Sequence, residues 1–194
     1  MRNVRILAII FGLIVSTGSS AEILPVEAST FEFNIRTPKL SREKEEKLLS
    51  AVDVLRAVYG SDEFRNGILN HKYKGRRTFS NNKGLSNAQV YQKIMDGVER
   101  LYPLKNNAMD LEVELFTNNF SKVLGFTRSN SSTIFINTKY FNKNTAAKIA
   151  SNLTHEWLHK LGFTHPVNKC LSRRNSVPYA VGYLVKTISK KLGY

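Results

Sequence analysis

Three of the four histidines of this 194-residue chain lie within eleven residues, in the segment HEWLHKLGFTH. His155 and His159 are four residues apart, so in a helix both imidazoles project from one face, one turn apart. Two imidazoles in this arrangement can bind one zinc ion. This spacing predicts a metal site on a helix.

The rest of the segment extends this site beyond the helix. Gly162 can adopt the left-handed conformation that often ends a helix, because it has no Cβ. After that turn, His165 can return as a third ligand, which leaves one zinc position open, as in catalytic sites. Glu156 follows the first histidine and can reach a water molecule there. The sequence thus predicts His155, His159 and His165 as zinc ligands and Glu156 as general base.

The same eleven residues match the pattern H-E-x-x-H-x-x-G-x-x-H, and in this they resemble the metzincin clan of zinc metallopeptidases. The resemblance implies an α/β (α+β) zincin-like catalytic domain. Such a domain has a twisted, mostly parallel mixed sheet, a backing helix, an active-site helix and a C-terminal helix. It also implies a zinc-dependent endopeptidase whose protein or peptide substrate lies extended along an edge strand near Val123 to Thr127.

One part of the metzincin pattern is missing. Metzincins place a methionine turn after the third histidine, whereas all three methionines of this chain precede it. Pro178 could replace the methionine as a compact apolar floor. Tyr179 then resembles the tyrosine that some metzincins use to bind the metal or stabilise the transition state. Alternatively, Pro178 starts a helix and Tyr179 packs within the fold, and both interpretations stay open.

The first 21 residues have the pattern of a secretory signal. Arg2 and Arg5 precede an apolar run that is too short to span a bilayer. Ser19, Ser20 and Ala21 form a small-residue cleavage site. We therefore expect a secreted or periplasmic protein in which residues 22–194 form a single catalytic domain.

Hydrophobic periodicity and capping residues predict the order of the elements. Strands are expected at 31–35, 111–116, 123–127 and 133–137, and helices at 41–60, 61–70, 86–101, 144–161 and around 181–188. The basic segment 71–84 is expected to be a loop.

The net charge of +14 allows attraction to an anionic surface or polymer without selecting one. Segment 71–84 contains Tyr73 and Phe79 among basic residues, a pattern that also occurs in nucleic-acid contacts, but a solvated loop is the more common case. We expect no obligate nucleic acid and a monomer. His71, in this loop, is expected to be exposed and without a metal role.

The single cysteine, Cys170, excludes an intramolecular disulfide and a multi-cysteine zinc ribbon. Its position five residues after His165 is compatible with a zinc ligand or a redox switch, and a buried thiol is the more common case.

Two other functions fit the same residues. One is a zinc hydrolase that cleaves cell-wall peptide amides. The other is a non-catalytic, zinc-containing, toxin-like protein that binds an anionic surface. Replacement of Glu156 by Ala should abolish turnover but leave zinc bound, so it distinguishes the catalytic functions from the non-catalytic one.

Overall fold

The computed structural model describes residues 31–128 and 130–194, so the predicted signal segment 1–21 lies outside the described residues. Four strands and seven helices form in the described part. In chain order they are β1 (Glu32–Arg36), α1 (Arg42–Tyr59), α2 (Asp62–Leu69), α3 (Asn87–Asp96), β2 (Ala108–Phe116), β3 (Gly125–Thr127), β4 (Thr133–Asn137), α4 (Thr138–Lys143), α5 (Ala146–Lys160), α6 (Leu171–Arg174) and α7 (Val177–Lys191).

The strands form one mixed sheet in the order β1-β2-β4-β3. β1 and β4 both pair with β2 in parallel, whereas β3 pairs antiparallel with β4 at the edge of the sheet. The mixed α/β class with a mostly parallel sheet is therefore confirmed. β3 begins at Gly125, two residues later than expected, and Val123 and Leu124 before it are exposed.

The inner face of α5 lies at the centre of the core. Ile149, Leu153 and Trp157, which have the spacing expected of its buried face, are at most 1% exposed. The helix packs against α1 and α7, and the rings of Phe31 and Tyr59 lie 5.8 and 6.5 Å from that of Trp157. A helix with a buried inner face thus carries the two-histidine motif.

The helix boundaries follow local chemistry. Ser86 and Gln89 form a capping box at the start of α3, as predicted. The prediction that this helix continues to residue 101 is wrong. Gly97 is left-handed with φ of 67°, and a Cβ there would meet the carbonyl oxygen of Ala108, so the chain leaves the helix at this point.

The short helices α4 and α6 were not expected, since six and four residues are too few to establish a helical period. Among the helices in the described part of the chain, none is long and apolar enough to cross a membrane.

Candidate metal centre and catalytic cleft

The fold brings the three motif histidines together. His155 and His159 lie one turn apart on α5, and His165 lies in the loop that follows it. One ring nitrogen from each lies within 4.8 Å of the other two. The three ring centroids are 4.9 to 5.2 Å apart. This cluster can hold one metal ion.

Gly162 returns the chain to the cluster, as its spacing predicts. Its φ is 91°, a conformation that costs glycine little. The backbone N–H groups of Gly162 and Phe163 donate to the carbonyls of His159 and Leu158, both at 3.0 Å. The Phe163 side chain is 1% exposed and anchors the turn. The position of His165 is thereby fixed by backbone bonds and by core packing.

Each of the three imidazoles also has a backbone partner. Nδ1 of His159 is 2.8 Å from the carbonyl of Phe163, and Nδ1 of His165 is 3.1 Å from that of Pro166. The His155 ring bonds to the carbonyl of Pro178. One ring N–H on a carbonyl leaves the other nitrogen as a lone-pair donor, which is the usual outer shell of a metal-binding histidine.

Burial keeps these histidines neutral. It lowers the pKa of His155 to about 3, and the neighbouring His159 and His165 add to the effect. Burial likewise lowers the pKa of His159 and of His165. Because only a neutral imidazole can donate its lone pair, the environment favours the ligand form at neutral pH. The donor set therefore fits a metal ion of the kind that imidazole binds.

Glu156 lies in the same cleft and is 5% exposed. Burial raises its pKa to about 7, although a hydrogen bond from the Asn152 side chain and the positive charge of Lys160 act in the opposite direction. A carboxylate with such a pKa can both accept and release a proton near neutral pH. The geometry thus provides a proton acceptor beside the histidine cluster.

Asn152 and Lys160 are residues of this site that sequence reasoning missed. Both lie one helical turn from Glu156, so the spacing alone could have suggested them. The Lys160 ammonium donates to the backbone carbonyls of Arg128, Ser131 and Thr133. It thereby fastens the connection between β3 and β4 to α5.

Tyr179 lies against the cluster. Its ring makes edge contacts with those of His155 and His165, with centroids 4.5 and 4.7 Å apart. The Arg173 guanidinium donates to the tyrosine hydroxyl. Pro178 lies in the first turn of α7 and is buried, which confirms that it starts a helix. The Tyr179 ring packs on the histidine cluster and its hydroxyl bonds to Arg173, so the catalytic role of this residue stays a prediction.

The cluster opens into a cleft of about 930 Å³ between α5, β3 and α7. β3 approaches α5 closely at Gly125. A Cβ at this position would lie 2.8 Å from Oδ1 of Asn152 and 3.0 Å from the carbonyl oxygen of Phe135. Glycine therefore lets the edge strand lie beside the helix that carries the histidines.

The remaining candidates lie outside the cluster. Cys170 is exposed, so the expectation of a buried thiol is wrong, and it does not belong to the three-histidine group. His71 is half-buried instead of exposed, because its ring stacks on Phe79 with centroids 4.1 Å apart.

Comparison of the chain with models of protein families, with curated proteins and with solved structures finds no match.

Proposed function

We propose that this chain is a zinc-dependent endopeptidase with a zincin-like catalytic domain related to the metzincins. One observation carries the proposal: three neutral imidazoles close enough to bind one metal ion line the same cleft as the buried carboxylate of Glu156. Three histidine ligands with one open position are typical of catalytic zinc sites. The mixed sheet, with its antiparallel edge strand beside the histidine-bearing helix, supports the same assignment.

The proposed chemistry is hydrolysis of a peptide bond. Zinc bound by His155, His159 and His165 would supply Lewis acidity toward the substrate carbonyl and favour ionisation of water near neutral pH. Glu156 accepts the proton of the attacking water on its carboxylate and passes it to the leaving amine. The Tyr179 hydroxyl, oriented by Arg173, donates a hydrogen bond to the developing oxyanion.

The substrate would bind as an extended peptide along β3. In the described sheet this strand pairs with β4 alone, so its other edge offers backbone groups to a peptide strand. Val123 and Leu124, which precede β3, line the cleft and are 48% and 44% exposed. They supply apolar contacts for substrate side chains. We further propose a monomer of residues 22–194, exported to the periplasm or the medium after removal of residues 1–21.

The test compares wild-type protein with Glu156→Ala and Glu156→Gln. Zinc content is measured together with cleavage of casein. We expect about one zinc ion per chain in all three proteins, and cleavage only by the wild type and only without chelator. Cleavage at the wild-type rate by either variant would contradict the proposal.

Two further outcomes would favour the alternative functions. Cleavage of cell-wall peptides but not of unfolded proteins indicates the amide hydrolase. A biological effect that persists in Glu156→Ala indicates the non-catalytic surface-binding protein.

A further inference from the structure

The charges that line the cleft are strongly unbalanced. Its two acidic residues, Glu99 and Glu156, are only 3% and 5% exposed. Six basic residues with exposed or half-exposed side chains line the same cleft: Arg100, Lys122, Arg128, Lys148, Arg173 and Lys186. The solvent-facing part of the cleft is therefore cationic.

These six cations lack carboxylate partners among the described residues. The four ion pairs in that part of the chain all involve basic residues elsewhere. Arg173 instead bonds to the Tyr179 hydroxyl, and Arg128 lies over the ring of Phe135 at 5.3 Å. Like charges gathered around one cleft repel one another, and an anionic ligand would relieve that repulsion.

Three of the cations lie at one end of the cleft. α5 and α7 run antiparallel there, since Tyr179 contacts His155 and the Ser151 hydroxyl donates to the carbonyl of Gly182 at 2.7 Å. Lys148 is two turns before His155 on α5, and Lys186 is two turns after Tyr179 on α7. The two lysines therefore lie at the same end. Lys122 joins them, because it precedes Gly125, which lies against Asn152 of α5.

The three arginines lie near the C-terminal end of α5 and beside the histidine cluster. The Arg100 side chain lies over Gly162, just past the end of α5. The backbone carbonyl of Arg128 accepts a hydrogen bond from the ammonium of Lys160, the last residue of α5. Arg173 stacks on Tyr179, whose ring touches His165. The lysines thus lie toward the N-terminal end of α5 and the arginines toward its C-terminal end and beside the cluster.

From this arrangement we infer that the substrates are acidic peptide segments, with Asp or Glu side chains on both sides of the cleaved bond. The inference rests on the proposed peptidase function and names its substrate class. A peptide is favoured over another polyanion because the free edge of β3 offers backbone hydrogen bonds that only an extended polypeptide can use. Carboxylate side chains would then meet the lysines at one end and the arginines at the other.

A binding measurement tests the inference without requiring turnover. Zinc-loaded Glu156→Ala protein is titrated into two fluorescent decapeptides that differ only in Glu against Gln at four positions. We expect the Glu peptide to bind at least ten times more tightly, and the difference to shrink as salt is raised. Equal affinities would overturn the inference, whatever the cleavage assays show.

A matched pair of variants separates cleft charge from net charge. In the Glu156→Ala background, Lys148→Gln with Lys186→Gln removes two cleft cations. Lys72→Gln with Lys190→Gln removes two exposed cations outside the cleft. The first pair should abolish most of the preference for Glu, and the second should leave it. Equal losses would overturn the inference.

Three further results separate the substrate class from the peptidase function. A single-stranded oligonucleotide that binds more tightly than the Glu peptide, through the same cleft lysines, would overturn the inference in favour of nucleic acid. A wild-type protein that cleaves Glu and Gln peptides equally would contradict the acidic preference but leave the peptidase function standing. A protein that binds the Glu peptide selectively but cleaves nothing would support the preference and contradict the peptidase.

Discussion

The indole Nε1 of Trp157 donates a hydrogen bond to Oε1 of Glu99 at 2.6 Å, and both side chains are buried. Trp157 lies between His155 and His159 in the sequence of α5 and is fully buried. The same carboxylate oxygen accepts the backbone N–H of Asp110 at 3.2 Å. Glu99 therefore ties the histidine-bearing helix to β2.

Replacement of Glu99 by Ala should destabilise the protein. It leaves the Trp157 and Asp110 donors without their acceptor, and an unsatisfied buried donor costs about 1–3 kcal/mol. Glu99→Gln keeps an acceptor oxygen of similar reach and should lose less of the free energy of unfolding. Urea denaturation of the metal-free proteins measures both values. Equal losses would mean that the hydrogen bonds to Glu99 contribute little.

Removal of the Tyr179 hydroxyl should reduce turnover. Tyr179→Phe keeps the ring against the histidines but removes the donor that Arg173 orients. We expect kcat to fall roughly 10²-fold with little change in KM, as when one oxyanion donor is lost. Tyr183 lines the same cleft and is 68% exposed, so Tyr183→Phe is the matched control and should be near wild type. An unchanged kcat in Tyr179→Phe would assign this residue to packing alone.

A side chain at position 125 should disturb the edge strand. The Cβ of Gly125→Ala would overlap Oδ1 of Asn152 and crowd the carbonyl of Phe135, and overpacking of this kind costs about 1–3 kcal/mol. Addition of Asn152→Ala should restore part of the lost stability, because it removes one of the two obstacles. A thermal unfolding series on the single and double variants checks this. If Asn152→Ala restores no stability to Gly125→Ala, the steric overlap lies with the backbone carbonyl of Phe135.

The pH dependence of stability should contain a contribution from His71. Burial against Phe79 lowers the pKa of this imidazole below its ordinary value of 6.5. The unfolded chain therefore takes up a proton first as the pH falls below 6.5. His71 thus contributes stability that is complete above pH 6.5 and is lost as the pH falls toward its lower folded-state pKa.

Burial also lowers the pKa values of the three cleft histidines, so their contributions to stability are lost on acidification in the same way. The measurement is therefore the difference in the free energy of unfolding between wild type and His71→Phe. The free energy of unfolding of the variant should fall less steeply below pH 6.5. Parallel pH profiles for the two proteins would show that His71 titrates alike in the folded and unfolded chains.

The parts of the site that were predictable depend on short-range geometry. Helical spacing fixes the relation of His155 to His159, and the conformational freedom of Gly162 allows the return to His165. The capping box at Ser86 is local in the same way. These features follow from a few adjacent residues, so the sequence alone predicts them.

The remaining parts depend on how distant elements pack. Tyr179 reaches the cluster only because α7 lies against α5, where Gly182 allows the close approach. A helical pattern within α7 carries no information about that neighbour. The apolar spacing that suggested a longer α3 also misled, because Val98 and Leu101 continue the period after Gly97 has already ended the helix.

The most direct test of a catalytic zinc site is a zinc titration of the metal-free protein with cleavage measured at every step. We expect activity to rise with added zinc and to saturate at about one ion per chain. His159→Ala, which keeps two of the three ligands, should bind zinc far more weakly and remain inactive at the same ratio. Full activity in the metal-free protein, or zinc binding that is unchanged in His159→Ala, would contradict a catalytic zinc held by His155, His159 and His165.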